Sequence, residues 1–145
     1  MGKKLQITLA AELESLAVIR DFVDQACRKA DVSDEACYDI KLAADEACTN
    51  IIEHGYAGLE PGSIILSLQY GPRQIVVRLT DFGHPFEPGE PPTPDAEAVL
   101  ESGALGGFGL YFIHRSMDSV SYEPAIGGNT LTMIKKLESS RQRGR

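Results

Sequence analysis

Hydrophobic positions alternate with polar ones at the start of the chain, then recur at helical spacing, then alternate again. In "KLQITLA" the apolar residues Leu5, Ile7 and Leu9 fall on every second position, which predicts a strand with those three on one side. The period changes after Ala11. Leu13, Leu16, Ile19, Val23, Ala26 and Cys27 follow helical spacing and predict an amphipathic helix over Glu12 to Lys29. Ser33 before "DEA" supplies a capping hydroxyl and first-turn acids, so a second helix is expected from there to His54, ended by Gly55. Alternation then returns in "SIILSLQYG" and "RQIVVRLTD". Joined across Gly71 and Pro72, these two runs predict an antiparallel hairpin over residues 63–81.

From Phe82 to Gly107 the pattern lapses into prolines and glycines, with only "PDAEAVLES" resembling a short helix. A stretch of that length inside a compact domain is usually functional, and a lid is the expectation. "GLYFIHRSM" resumes as a helix, and "DSVSYEPAIGGNTLTMIKKL" closes as a hairpin turning at Gly127 and Gly128. The order contains no βαβ series. It therefore predicts an α+β fold: a two-layer sandwich, with a mixed, mostly antiparallel sheet carrying helices on one face. One domain is expected over 1–138, followed by a disordered tail over 139–145.

Composition narrows the function. A chain of 145 residues, 43% hydrophobic and 24% charged, fits one globular domain with its own core. The formal charge of −7 argues against a general nucleic-acid binder, which needs a basic surface, and favours a protein partner. Apolar runs are too short for a membrane span or a signal peptide. Cys27, Cys37 and Cys48 lack CxxC spacing and sit among apolar neighbours, as buried free thiols in a reducing cytoplasm would.

Three segments carry candidate chemistry. In "DEACTNIIEHGY", Glu46, Asn50 and His54 stand four residues apart at one margin of the apolar stripe. They are either boundary polar groups satisfied by the backbone or the lining of a cleft. In "RLTDFGHPF", Asp81 closes a strand and Gly83 follows. That is either an ordinary turn or a carboxylate set to accept from an exocyclic amine, beside backbone that a planar ligand can approach. In "GALGGFGLYFI", glycines lead into a helix and could offer N–H groups to phosphate, although no strand precedes them and no Walker lysine is present.

The succession "DEACTNIIEHGY", "TDFGHPF", "GGFGLYFI", "GGNTLTMIKKL" resembles the ordered boxes of the Bergerat-type, histidine-kinase-like ATPases, and within them the bacterial anti-sigma-factor serine protein kinases. The resemblance extends from the first strand to about Leu137. It implies a Bergerat-type ATP-binding fold over 1–138, with ATP and Mg²⁺ as cofactors. Glu46 would be the general base and Asn50 the Mg²⁺ ligand, Asp81 the adenine reader and Gly83 the glycine beside it. Gly106, Gly107, Phe108, Gly109 and Leu110 would form the phosphate loop, and Thr130 the strand residue near the adenine. Mg²⁺ keeps most of its waters and needs few protein ligands, and a carboxylate one helical turn from Asn50 can take a proton from an attacking hydroxyl. His54 is treated as structural or supporting.

The implied function is a cytoplasmic serine kinase that phosphorylates an anti-sigma-factor antagonist and sequesters a sigma factor, working as a homodimer through the first strand and helix. One departure favours an alternative, a non-catalytic ATP-binding switch that holds its partner. No Lys or Arg occurs between Arg78 and Arg115, whereas Glu87, Glu90, Asp95, Glu97 and Glu101 make that segment acidic. A detached histidine-kinase ATPase domain fits less well, with no phosphoacceptor helix in the sequence. A metal hydrolase on Glu46 and His54 fits least, because His84 and His114 have no ligand spacing to them.

Overall fold

The structure, a computed structural model, describes residues 3–85 and 113–137. Among the described residues, five strands form one sheet: β1 (Lys3–Ala10), β2 (Ser63–Tyr70), β3 (Gln74–Asp81), β4 (Ser119–Glu123) and β5 (Asn129–Lys136). Their spatial order is β1-β2-β3-β5-β4, and every neighbouring pair is antiparallel. Two helices, α1 (Ser15–Lys29) and α2 (Asp34–Asn50), lie between β1 and β2 in sequence. Residues 113–116 are also helical. The α+β sandwich expected from the pattern is the architecture observed.

Period-two alternation decides which sheet face meets the helices. Ile64, Leu66 and Leu68 of β2, Ile75, Val77 and Leu79 of β3, and Leu131 and Met133 of β5 are buried with Ile19 and Val23 of α1 and Ile40, Ala43, Ala44 and Ala47 of α2. Each large aliphatic side chain removed from water contributes roughly 1.5–3 kcal/mol. The opposite positions read Thr80 and Arg78 on β3 against Thr130 and Thr132 on β5, with one apolar pair, Val76 and Ile134, beside them. Leu5, Ile7 and Leu9 of the edge strand are half-buried and pack against the same core.

The first helix starts later than its apolar period suggested. Ser15 Oγ donates to the Ala10 carbonyl at 2.7 Å, tying the helix start to the end of β1. The second begins with the expected serine cap, the Ser33 hydroxyl accepting from Ala36 N–H at 3.1 Å. Its far end is different from the expectation. Regular α-helix stops at Asn50, and Ile51–Gly55 form a π-helical turn, with Tyr56 N–H donating to the Ile51 carbonyl. Lys135 of β5 ties the layers at one side, donating to Asp39 of α2 and to the Ser116 carbonyl, both at 2.8 Å. The lid, the phosphate-loop glycines and the tail predicted from sequence lie outside the described residues, apart from the lid's first residues up to Pro85.

The thiols behave as the sequence suggested for two of the three. Cys27 and Cys48 are buried and Cys37 is half-buried, all free. Burial pushes each thiol up from its ordinary value, which keeps it protonated and unreactive. Among the described residues no helix is long and apolar enough to cross a membrane.

Candidate nucleotide-binding site

Asp81 is the last residue of β3, and alternation turns its side chain toward the helices, where it is only 3% exposed. Its Oδ1 accepts from Gly83 N–H at 2.9 Å and from Asn129 Nδ2 at 3.1 Å. The same Asn129 nitrogen donates to the Gly83 carbonyl at 3.0 Å. Among the described residues no donor reaches Asp81 Oδ2. A carboxylate oxygen left without a donor at that burial is costly unless a bound molecule supplies one.

The end of β3 is locked onto the end of the π-turn. His84 N–H donates to the Gly55 carbonyl at 2.6 Å. A Cβ on Gly83 would fall on that carbonyl oxygen and 2.6 Å from its carbon, so only glycine fits there. The close approach that Gly83 permits is thus to the protein's own backbone. Tyr56 adds a second clasp. Its hydroxyl donates to the Ser63 carbonyl at 2.8 Å and accepts from Phe82 N–H at 3.0 Å, joining the chain after the π-turn to the start of β2 and the end of β3.

The α2 margin is built otherwise. Asn50 is 8% exposed, yet its side-chain amide has no hydrogen-bond partner among the described residues. Glu46, one turn earlier and half-buried, also has no hydrogen bond or ion pair there. Arg20 is engaged by the adjacent Asp45 at 2.8 Å. Burial raises the Glu46 carboxyl above its ordinary value, and the neighbouring charges of Asp45 and Glu53 push in the same direction. A carboxylate raised in this way is a stronger base near neutral pH. No group of three or more His, Cys, Asp or Glu capable of holding a metal exists among the described residues. An unpartnered buried amide oxygen suits a cation that takes most of its ligands from water and phosphate, so the donor set fits Mg²⁺.

Glu46 and Asn50 stand together on α2, and Asp81 with Gly83 meets the end of that helix through Gly55. His54 falls in the π-turn and is exposed, so the expected four-residue register reaches only as far as Asn50. Gly106, Gly107, Phe108, Gly109 and Leu110 lie outside the described residues. Thr130 pairs across the strands with Thr80, not with Asp81. Its hydroxyl lies 3.3 Å from that of Thr80 on the outer face of the sheet, and it is Asn129, paired across the strands with Asp81, that reaches the carboxylate. In "NTLTM" the apolar alternation of Leu131 and Met133 already puts Asn129 on the inner face, a signal that could have found it. Nothing comparable in the sequence marks Tyr56.

The family described as the histidine kinase-like ATPase domain matches residues 9–135. The serine-protein kinase RsbW of Listeria innocua is 31% identical over 132 residues, covering 83% of this chain and 79% of its own length. RsbW of Halalkalibacterium halodurans is 30% identical over 138 residues, 92% of this chain and 83% of that one. The serine/threonine-protein kinase BtrW of Bordetella bronchiseptica is 30% identical over 96 residues, 66% of this chain and 68% of its own. Among solved structures, the RsbU and RsbW domains of Rv1364c from Mycobacterium tuberculosis align with a TM-score of 0.68 at 20% identity, over 93% of this chain but 32% of that longer one. The SiaB–SiaC complex of Pseudomonas aeruginosa contains a chain that aligns at 0.60 and 12% identity, over 92% and 89%. These two are likenesses of fold.

Proposed function

Because the chain belongs to the histidine kinase-like ATPase domain family, with RsbW serine-protein kinases among its relatives, we propose that it is an ATP-dependent serine protein kinase. The observation that carries this reading is the unpartnered pair on α2: a buried amide at Asn50 and, one turn away, a carboxylate at Glu46 raised by burial. Asp81 Oδ2 would accept from the adenine amino group. Asn50 would lend its oxygen to Mg²⁺, which screens the triphosphate charge when bound. Glu46 takes the proton from a serine hydroxyl as its oxygen bonds to the γ-phosphorus and the bond to the bridging β,γ-oxygen breaks, leaving ADP.

The substrate in this reading is an anti-sigma-factor antagonist, and the second partner a sigma factor that the chain sequesters. The charge of −7 supports protein partners over nucleic acid. The reading is completed by a cytoplasmic homodimer assembled through β1 and α1, with 1–138 as the ATPase unit; a monomer on size-exclusion chromatography at micromolar concentration would count against that assembly.

A second reading, a switch that binds nucleotide and holds its partner without chemistry, draws on one observation, the absence of Lys and Arg between Arg78 and Arg115. Glu46→Gln separates the two. With radiolabelled ATP and a serine-bearing antagonist, the kinase reading expects transfer to drop on the order of 10²–10⁴-fold while nucleotide and partner binding persist. Absence of transfer by the wild-type protein, with binding intact, would select the switch.

A further inference from the structure

Asn129 opens β5 directly opposite Asp81 and is only 2% exposed. Its Nδ2 faces two acceptors, Asp81 Oδ1 at 3.1 Å and the Gly83 carbonyl at 3.0 Å. Two acceptors on one side determine which end of the amide is nitrogen, and they use both of its N–H groups. With Gly83 N–H on the same Asp81 oxygen at 2.9 Å, Oδ1 is saturated and the carboxylate cannot turn without breaking two bonds. Two buried acceptors remain without a donor among the described residues, Asp81 Oδ2 and Asn129 Oδ1. A network whose open positions are all acceptors calls for a ligand edge that donates.

We propose that Asn129 is the positioning residue that makes this site selective for a purine carrying an exocyclic 6-amino group. It does so by holding Asp81 with Oδ2 as its one free oxygen. The inference rests on the nucleotide reading above and deepens it. A 6-oxo purine would set a carbonyl oxygen against that acceptor, and a purine lacking the 6-substituent would leave it unpaired. Sites built around a substrate hydrogen bond discriminate strongly against analogues without it. The Gly83 bond links recognition to shape, since the same amide that fixes Asp81 also fixes the glycine packed on Gly55.

The test is calorimetric titration of the full chain, with Mg²⁺, using ATP, inosine triphosphate and purine riboside triphosphate, on the wild type, Asn129→Ala and Asn129→Ser. The wild type should prefer ATP to both analogues by on the order of 10²-fold or more. Asn129→Ala should shrink that preference at least about tenfold, chiefly by weakening ATP, and Asn129→Ser, which returns one donor, should recover part of it. Equal weakening of all three nucleotides by Asn129→Ala would mark a purely structural residue and overturn the proposal, as would an unchanged preference. If Asn129→Ala does not fold, the serine variant alone decides, by whether its preference lies below that of the wild type. Failure of the wild type to bind any of the three overturns the nucleotide reading itself, a result distinct from binding without discrimination.

Discussion

The two ends of the site are finished to different degrees. Around Asp81, one carboxylate oxygen carries two donors, Gly83 packs on Gly55 with no room for a methyl group, and Tyr56 clasps two strands. Along α2, Asn50 and Glu46 are partly or wholly withdrawn from water and bonded to nothing among the described residues. The difference teaches a division of labour. In the proposed nucleotide reading, the Asp81 end would face the base with its geometry already set by hydrogen bonds, and the α2 margin would leave its polar groups to a ligand that brings its own charge and metal. Hydrogen bonds are concentrated at the first end, and unpartnered polar groups at the second.

That contrast can be broken by damaging the finished end. Gly83→Ala should have the largest effect, because a methyl group would displace backbone rather than a flexible side chain; a loss of about 3 kcal/mol in urea unfolding is expected, along with nucleotide binding. A stable, binding-competent alanine variant would mean the two segments are not locked. Tyr56→Phe should cost less, about 1–2 kcal/mol, since it strands the Ser63 carbonyl and the Phe82 N–H but leaves the ring in place. Thermal melts of that variant at unchanged nucleotide affinity would sharpen the comparison by separating clasp from recognition.

The smallest effect tests the unfinished end. The folded pKa of Glu46 is raised, so its ionised form is less favourable in the folded protein than in the unfolded chain. The corresponding stability is present below its ordinary value of 4.5 and is lost as pH rises through the folded value. Glu46→Gln should therefore raise Tm at pH 7 by on the order of 1 °C and give no gain once the pH falls below the ordinary carboxylate range. A gain that persists at low pH would trace to something other than the charge.

The hairpin over 63–81, the inward residues of β2 and β3 and the Ser33 cap could all be read from the sequence, because period-two alternation and a capping hydroxyl are local signals. Glu46, Asn50 and Asp81 could be placed on a helix margin and at a strand end, but spacing alone left each open between an ordinary polar position and a site residue, and only the resemblance of the ordered segments gave them roles. The π-turn could not, since five residues carry no period of their own and helical spacing continues smoothly through "NIIEH". Asn129 was half-legible. Alternation assigns it a face, but its meeting with Asp81 depends on β5 inserting between β3 and β4, a long-range pairing that no stretch of sequence encodes by itself. Tyr56 was hidden for the same reason, its two partners lying 7 and 26 residues further along the chain.

The most direct measurement is calorimetric titration of ATP into the purified protein, with and without Mg²⁺, beside Asn50→Ala. Binding should require Mg²⁺ and weaken on the order of tenfold or more in the variant, while the variant's thermal stability stays at or above that of the wild type because an unpartnered buried amide has been removed. Absence of heat under every condition, or equal affinity with and without Mg²⁺ in both proteins, would contradict the assignment of the α2 margin to a metal-bound triphosphate.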